Sequence, residues 1–351
     1  NQWLQDFEKS ITGSDYDNLT VLFHDDCHWR DLLAFTWHIQ TVSGIEKIKN
    51  ALKLHNLKVK PSGFKVDSHR TAPRIVTRAG EEVIEAIFCF ETKFGQGSGV
   101  LRLLPVSKNN DPLKAWTFVT VLDELSGFGE QIGKKRPKGD AYSRDFQGPN
   151  WLDERNTAIA YADRDPAVIV VGGGQAGLSI AARLRQLNVD ALVVDREKRI
   201  GDNWRSRYHR LTLHNQVHVN HLPYMPFPPS WPAYIPKDKL ANWFEAYAES
   251  MEINFWTETE FRGGTYDHNN KNWSVILHKD GCETRKIHPR HIVMATGVSG
   301  VPKLPEIPSL QKFGGQVIHS SEYKNGKDWE GSRVLIIGSG TSGHDIAQDL
   351  Y

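Results

Sequence analysis

Cysteine is scarce in this sequence, and long apolar runs are missing. The 351 residues include three cysteines, Cys27, Cys89 and Cys282, which form no C-x-x-C pair and no metal-ligand spacing. We expect them to be reduced thiols in a cytoplasmic protein that has no metal site. No apolar run approaches the roughly 20 residues of a membrane-spanning helix, and no signal peptide is recognisable. The sequence therefore predicts no transmembrane segment.

An excess of charge of one sign is also lacking. Lysine and arginine number 43, aspartate and glutamate 42, and the net charge is +1. This balance favours neither nucleic acid nor a membrane surface as a partner. A chain of 351 residues is long enough for two or three domains. Because it begins at Asn1 without a methionine and ends at Tyr351 inside a predicted helix, we expect a fragment of a longer protein.

A glycine-rich turn is the strongest motif that the sequence contains. The β-branched run 168–171 predicts a buried parallel strand, and Gly172, Gly174 and Gly177 follow it as G-x-G-x-x-G. The first glycine permits a tight turn, the second lets the backbone approach a pyrophosphate, and the third brings a helix against the strand. The pattern predicts a dinucleotide site at the N-terminus of that helix.

The residues after this turn complete the pattern. Ile180, Leu184 and Leu187 recur at helical spacing and predict the apolar face of the helix. A second strand, 191–194, leads to Asp195, which lies 23 residues after the first glycine. A carboxylate in that position accepts hydrogen bonds from ribose hydroxyls.

A second copy of the turn lies 166 residues further on. The apolar run 334–337 predicts a strand, and Gly338, Gly340 and Gly343 then precede a helical pattern. Two such turns indicate two nucleotides. The simplest interpretation is FAD at the first turn and a nicotinamide cofactor at the second, a pair that carries out hydride transfer and flavin chemistry.

Residues 1–125 have a different pattern and predict an α+β domain of helices followed by antiparallel strands. Ser43 and Glu46 form a predicted capping box for a helix that starts near residue 45. The predicted strands are 82–94, 99–106 and 113–122, separated by turns at FGQGSG and KNNDP.

The stretch FHDDCHWRDLLAFTWHIQTVSGIEKI resembles the SnoaL-like, nuclear-transport-factor-type cone fold. That fold surrounds a pocket, and the resemblance implies Asp25, Asp26, His28 and Asp31 as candidates for a base. The alternative is that they are turn and surface residues of a packing domain, which is a candidate homodimer contact.

The remaining segments suggest the domain order. Residues 126–165, with the basic stretch GKKRPKGD, predict a linker, and a short helix is expected over 150–162. The proline cluster 223–236 predicts a long ordered loop, and 256–287 predict a β-meander around the turns DHNNKN and KDGCE. The stretch RHIVMATGV predicts a buried strand that ends at Thr296 and Gly297. We therefore place an FAD domain at 166–330 and the start of a domain for the nicotinamide cofactor at 331–351.

Five motifs in this order resemble the class B flavin-dependent monooxygenases, in particular the flavin-containing monooxygenase and YUCCA branch. They are the G-x-G-x-x-G turn, GDNWRSRY, HIVMATGV, FGGQVIHSSEY and GSGTSG. Phe313, Gly315, His319 and Tyr323 match the family signature F-x-G-x-x-x-H-x-x-x-Y/F. Because Lys324 follows, where Baeyer–Villiger relatives carry proline or aspartate, the N- or S-oxygenating or YUCCA-like branch is favoured.

The resemblance implies a two-dinucleotide, Rossmann-type α/β flavoprotein that is reduced by NADPH and reacts with O2. A hydroperoxyflavin then passes one oxygen atom to a small soft nucleophile, such as an amine, a sulfide or an α-keto acid. The site must be dry and must donate hydrogen bonds to protect this intermediate. We expect the fragment alone to be inactive.

The resemblance also implies roles for individual residues. Trp204 and Arg207 lie in the segment that contacts the flavin, and Asn215 matches an active-site asparagine near its reactive edge. Trp204 as ordinary core and Asn215 as a loop cap are the alternatives. Thr296 and Gly297 mark a strand end near FAD or the hinge. His319 is expected to couple the nucleotide domains, and contact with the nicotinamide cofactor is the other option.

Three other functions are alternatives for a chain with these motifs. A disulfide reductase needs a cysteine pair beside the flavin, and the isolated cysteines oppose it. An NADPH oxidase that releases peroxide is the closest alternative. A non-catalytic interaction protein is the third, and the intact glycines at both turns weigh against it.

Overall fold

The structure is a computed structural model that describes residues 1–105, 112–137, 147–279, 284–298 and 300–351. The chain divides into unit 1, Asn1–Gly129, and unit 2, Glu130–Tyr351. The predicted turns KNNDP and KDGCE, the end of the basic stretch GKKRPKGD and the third cysteine, Cys282, lie wholly or mostly outside the described residues.

Unit 1 consists of three helices and a mixed sheet. Its elements are α1 Gln2–Thr12, α2 Leu19–Leu22, β1 Phe23–Leu32, β2 Ile39–Ser43, α3 Ile45–Val59, β3 Ser62–Val66, β4 Arg74–Arg78, β5 Glu81–Thr92, β6 Gly95–Pro105 and β7 Leu113–Leu125. In the described residues the sheet order is β2-β1-β7-β6-β5-β3, with β4 also on β5. All neighbours are antiparallel except β1 and β7. The predicted α+β pattern is confirmed.

Aromatic rings fill the core of unit 1. Trp3 and Phe7 project from α1 at helical spacing, and Phe88 and Phe118 project from β5 and β7, the strands on either side of β6. The ring centroids of Phe7 and Phe118 are 4.8 Å apart, and Phe88 stacks on Phe118 at 5.2 Å. Rings of this size bury a large apolar area, which stabilises a domain of this length.

The stretch FGQGSG is strand rather than turn, so this prediction was wrong. β5 ends at Thr92 and β6 begins at Gly95, which leaves only two residues for the turn. A Cβ at Gly99 would lie 2.2 Å from the ring of Phe88 and 2.1 Å from the carbonyl oxygen of Val119. Glycine is needed here because a ring of the neighbouring strand occupies the space of a side chain.

The predicted capping box is also wrong, although the helix it was to open exists. The N-cap of α3 is Gly44, at φ +86°, and it makes no side-chain cap hydrogen bond. Ser43 instead belongs to β2, and its hydroxyl lies 2.8 Å from Nδ1 of His28 on β1. Because Ser43 is paired in the sheet, its hydroxyl is not available to cap α3.

Unit 2 carries a parallel sheet. Its elements are α4 Trp151–Ala160, β8 Val168–Val171, α5 Gln175–Gln186, β9 Ala191–Val194, α6 Asp202–Arg205, α7 Lys237–Ser250, β10 Asn254–Trp256, β11 Thr259–Asp267, β12 Asn272–Lys279, β13 Arg285–Ile287, β14 His291–Met294 and α8 Thr341–Leu350. The order is β10-β9-β8-β14, and each of these pairs is parallel. Helices α5 and α7 are the crossovers that parallel strands require. The α/β prediction is confirmed, as are the meander β11-β12-β13 and the short helix near residue 150.

Two details of unit 2 differ from expectation. The buried face of α5 is formed by Gly177, Leu178, Ala181 and Ala182, while Leu187 is 37% exposed just past the helix end. Small side chains let the helix lie close to the sheet, while Ile180 and Leu184 pack at the margin of the core and only Leu187 was wrongly assigned to the helix face. β14 exists but is not buried, because it is the edge strand of the described sheet, and Met294 is 59% exposed.

The proline-rich segment is irregular, as predicted, and it is packed. Leu222, Phe227 and Ile235 are buried in the core that α5 and α7 share. The hydroxyl of Tyr247 on α7 donates to the carbonyl of Pro223 at 3.0 Å. In the described part of the chain, no helix has both the length and the apolar character needed to cross a bilayer.

The four candidate base residues of unit 1 are not gathered in a pocket. Asp25 and Asp26 are exposed, and His28 pairs with Ser43 and Asp26 at the sheet surface. Asp31 is fully buried, and its carboxylate accepts from the backbone N–H groups of Phe35 and Thr36 and from the hydroxyls of Thr36 and Thr120. These four donors occupy the acceptor sites of the carboxylate, so Asp31 stabilises a turn and is not placed to accept a proton from a substrate.

We expect Asp31→Ala to destabilise unit 1 and Asp25→Ala to have little effect. Asp31→Ala leaves four buried donors without an acceptor, so the free energy of unfolding should fall by about 3 kcal/mol or more. Asp25→Ala removes only an exposed carboxylate. Urea denaturation followed by far-ultraviolet circular dichroism measures both. Equal midpoints for the two variants would contradict the structural role of Asp31.

Candidate functional site

The first glycine turn forms the tight junction between β8 and α5. Gly172 has φ +104°, and a Cβ there would lie 2.5 Å from the carbonyl oxygen of Ala295. A Cβ at Gly177 would lie 1.9 Å from the carbonyl oxygen of Gly172. No other residue fits either position, because the backbone of one element occupies the side-chain space of the other.

A further glycine, between the motif positions, is required as well. A Cβ at Gly173 would lie 2.1 Å from the ring of Phe255 on β10. The motif leaves this position free, and the run of three consecutive glycines, of which Gly173 is the middle one, was the available signal. Phe255 therefore closes one side of the turn.

The N-terminus of α5 offers unpaired backbone donors. Its N-cap is Gly174, and no side chain caps the helix. The first N–H groups of a helix have no partner within it, and the helix dipole favours negative charge there. A Cβ at Gly174 would lie 3.1 Å from Nδ2 of Asn203, so this amide from GDNW borders the same space. Sequence reasoning did not select Asn203.

Asp195 completes the first site. One carboxylate oxygen accepts from the N–H of Gly173 at 2.6 Å, and the other accepts from the N–H of Glu197 at 3.0 Å. The residue is only half-buried. Because each carboxylate oxygen has two acceptor sites, both retain capacity for ribose hydroxyls.

These features fit the adenosine diphosphate half of a dinucleotide. The turn lacks the side chains that would fill the space of a phosphate, the helix supplies unpaired N–H groups, and Asp195 supplies acceptors.

The segment GDNWRSRY forms a short helix beside the turn. Gly201, at φ +90°, lets α6 approach α7, since a Cβ there would lie 2.6 Å from the carbonyl oxygen of Ala241. Trp204 packs against the core of α5 and α7, and its Nε1–H is buried without a hydrogen-bond partner in the described structure. A buried unpaired donor is rare in folded proteins and is a place where a polar ligand atom can bind.

Arg207 and Asn215 lie further along this segment, and both are exposed. The backbone carbonyl of Asn215 accepts from the side chain of Asn220 at 3.1 Å, a contact in which the Asn215 side-chain amide takes no part. Among the described residues, no hydrogen bond or ion pair joins Arg207 or Asn215 to the glycine turn.

Thr296 and Gly297 lie directly after β14 and are exposed. A Cβ at Gly172 would lie 3.3 Å from the backbone nitrogen of Thr296, so the end of β14 borders the turn. Gly297 has φ +81°, a conformation that favours glycine.

The second turn has the same local geometry as the first, but the described residues before it form no strand. Gly338 has φ +128°, Gly340 is the N-cap of α8, and a Cβ at Gly343 would lie 2.8 Å from the carbonyl oxygen of Gly338. The predicted strand 334–337 is wrong, and Leu335 is 79% exposed. A strand needs a partner for its backbone groups, and no described strand pairs with this run.

The signature residues lie between the two turns. Tyr323 is buried, and its hydroxyl donates to Oδ2 of Asp349 on α8 at 2.7 Å. The contacts of His319 are local, with Nδ1 2.9 Å from the hydroxyl of Ser321 and its backbone N–H donating to Oε1 of Glu322 at 3.3 Å, while Phe313 is 55% exposed. Tyr323 is thus the signature residue whose side chain reaches the second nucleotide helix.

Two surface cavities of unit 2 lie away from the glycines of the turns. One of about 460 Å³ lies beside Phe255, Trp256 and Arg285, and one of about 220 Å³ lies beside Arg185 and Asn254. We do not assign the site to either, because a dinucleotide lies along the strand ends and the helix N-terminus rather than in a closed cavity.

A comparison with known families identifies the class. Residues 165–351 match the model of the family described as flavin-binding monooxygenase-like. The chain therefore belongs to the flavin-binding monooxygenase-like family, a family of oxidoreductases.

Curated relatives and solved structures are similar to about half of the chain. Indole-3-pyruvate monooxygenase YUCCA1 of Oryza sativa subsp. japonica is 37% identical over 186 residues, which is 53% of this chain and 45% of the relative. Probable indole-3-pyruvate monooxygenase YUCCA10 of Arabidopsis thaliana is 32% identical over 188 residues, 53% of this chain and 49% of the relative. The solved flavin-containing monooxygenase from Stenotrophomonas maltophilia is 28% identical, with a TM-score of 0.47 over 51% of this chain and 53% of that chain. The chain spans about half the length of the curated relatives it matches.

We expect Gly177→Ala to abolish flavin retention, because the added methyl group would overlap the carbonyl of Gly172 and push α5 away from β8. The matched control is Gln175→Ala, an exposed position in the first turn of the same helix. Binding is measured by the flavin absorbance that remains with the purified protein. A Gly177→Ala protein that holds flavin as well as the control would refute this account of the turn.

Proposed function

We propose that this chain is the FAD-binding part, with the start of the NADPH-binding part, of a monooxygenase that transfers one oxygen atom of O2 to a small soft nucleophile. The observation that carries the proposal is the pair of glycine turns in unit 2, each opening a helix without a side-chain cap. One turn suits a resident flavin and the other a nicotinamide cofactor that reduces it.

The residues of the first site have distinct proposed roles. Gly172, Gly174 and Gly177 admit the FAD diphosphate to the N-terminus of α5, and Asp195 accepts from the ribose hydroxyls. Gly338, Gly340 and Gly343 play the same part for NADPH at α8. Thr296 and Gly297 border the flavin side of the first turn.

The isoalloxazine would be held by the loop after α6. We propose that the unpaired Nε1–H of Trp204 donates to it or to bound substrate, and that Arg207 contacts it. Asn215 is proposed at the reactive edge, where a neutral amide can donate a hydrogen bond without being oxidised. When bound, the flavin supplies the oxygen chemistry, while these side chains orient it and exclude water.

The relatives' names favour one of the three substrate classes. Two of them are called indole-3-pyruvate monooxygenases. We therefore propose an α-keto acid ahead of an amine or a sulfide.

For the rest of the chain we propose a SnoaL-like domain at 1–125, a linker at 126–165, the FAD domain at 166–330 and the start of the NADPH domain at 331–351. A cytoplasmic location is supported by Cys27 and Cys89, which are free thiols. In the SnoaL-like domain, Ile87, Val100 and Val119 form a half-buried row across β5, β6 and β7, on the sheet face opposite the aromatic core. A second copy of the chain is the proposed partner of this face.

The proposed oxygenase chemistry can be separated from its alternatives in the longest gene product that contains this chain. We expect purified protein to carry FAD, NADPH to bleach it, and mixing with O2 to consume oxygen well before the oxidised flavin spectrum returns. Stopped-flow absorbance with an oxygen probe measures this delay. With an accepted α-keto acid, peroxide should account for less than about a tenth of the NADPH consumed.

Other outcomes select the alternatives. Immediate reoxidation with one peroxide per NADPH, whatever substrate is added, would make the protein an oxidase. A colourless protein that stays colourless after soaking with excess FAD would make it a non-catalytic interaction protein.

The proposed dimer face predicts that Val119→Arg lowers the molecular mass measured by analytical ultracentrifugation from that of two chains to one. A charge in a self-associating apolar row must be buried without a partner. Leu54→Arg, at an exposed position of α3, is the control. A monomeric parent protein, or a dimeric Val119→Arg protein, would exclude this face.

A further inference from the structure

The second nucleotide helix is tied to the loop of the first site by one carboxylate. Asp345 lies on α8, and its Oδ2 accepts a short hydrogen bond from the hydroxyl of Tyr208, in the loop that follows α6. Nε2 of His214, in the same loop, lies 3.2 Å from this oxygen. We name Tyr208, His214 and Asp345 the clasp.

The Tyr208 side of the clasp is shielded from water, whereas His214 lies at its exposed side. Tyr208 is 5% exposed and packs with Tyr323 and Ile346 in a small apolar cluster between the loop and α8. Burial, with the adjacent carboxylate of Asp345, raises the pKa of the Tyr208 hydroxyl, so it remains a donor at neutral pH. A hydrogen bond from a buried hydroxyl to a carboxylate is stronger than one between neutral groups.

Two further hydrogen bonds, each accepted by a backbone carbonyl, lie beside the clasp. The N–H of His209 donates to the carbonyl of Lys324 at 2.7 Å, and Nζ of Lys324 donates to the carbonyl of Ser206 at 3.1 Å. The loop of the first site is therefore held both to α8 and to the segment that leads into it.

A second carboxylate on the same helix provides an internal comparison. Asp349, one turn after Asp345, accepts from the hydroxyl of Tyr323 at 2.7 Å and from the N–H of Gly326 at 2.8 Å. Both of these donors belong to the segment that precedes the second turn. Asp349 thus ties α8 to its own segment, whereas Asp345 ties it to the loop of the first site.

We propose that Asp345 is a positioning residue, which through the clasp fixes the second glycine turn relative to the flavin-binding loop. The inference rests on the proposed function, since it concerns the placing of a nicotinamide at one turn against a flavin at the other. Asp345 follows the N-cap Gly340 by five residues, so movement of its carboxylate moves the turn.

The test compares Asp345→Asn and Tyr208→Phe with Asp349→Asn and with Gln348→Ala, an exposed change on α8. The protein is the flavin-loaded gene product that contains this chain. In Asp345→Asn we expect the flavin reduction rate at saturating NADPH to fall about tenfold or more, because hydride transfer depends steeply on placement. The apparent Kd for NADPH and the retained FAD should change less than about threefold, since neither glycine turn is altered. Asp345→Glu should restore part of the rate.

Hydrogen exchange provides a readout that does not require activity. In Asp345→Asn the amides of 206–214 should exchange about tenfold faster, while in Asp349→Asn they should match Gln348→Ala. Unchanged exchange in 206–214, or equal losses of rate and FAD in Asp345→Asn and Asp349→Asn, would overturn the clasp. A parent protein that holds no FAD would overturn the proposed function instead, and the exchange comparison would still decide whether the clasp exists.

Discussion

The contact between α5 and the carbonyl of Gly172 is the constraint on which unit 2 depends. Because Gly177 has no Cβ, the helix lies against the end of β8 and its unpaired N–H groups face the turn. The small residues Ala181 and Ala182 extend this close approach along the helix. Asp195 and Phe255 then reach the turn from the two neighbouring strands, since parallel strands end at the same edge of the sheet. One steric condition thus brings together donors, acceptors and an open space for a diphosphate.

The same close approach of a helix to the carbonyl of the first glycine recurs at the second turn. Gly338, Gly340 and Gly343 adopt nearly the same turn, so the local geometry follows from the glycines themselves. Two carboxylates of α8, Asp345 and Asp349, accept hydrogen bonds from Tyr208 and Tyr323. Membership of the flavin-binding monooxygenase-like family agrees with two turns of one kind. The two turns therefore share a motif and its local geometry.

Unit 1 illustrates how acidic residues can mislead. Four titratable side chains within seven residues suggested a base, yet Asp31 is enclosed by four donors and Asp25 is in solvent. Alternation along β1 places His28 on the face of the sheet opposite Asp31, while Asp25 lies exposed near the start of the strand. Proximity in sequence on a strand consequently separates side chains rather than gathering them.

The sequence by itself determined the elements with strong local causes. The glycine turns, the helices with regular apolar spacing and the alternating strands were predictable because sterics and periodicity act over a few residues. Only the tertiary structure decided which partner each element found. In the structure, Phe255 lies against Gly173, Ser43 belongs to a strand and does not cap a helix, and 334–337 pair with no described strand. The tertiary structure also joined Asp345 to Tyr208 across more than a hundred residues, a contact that no local pattern encodes.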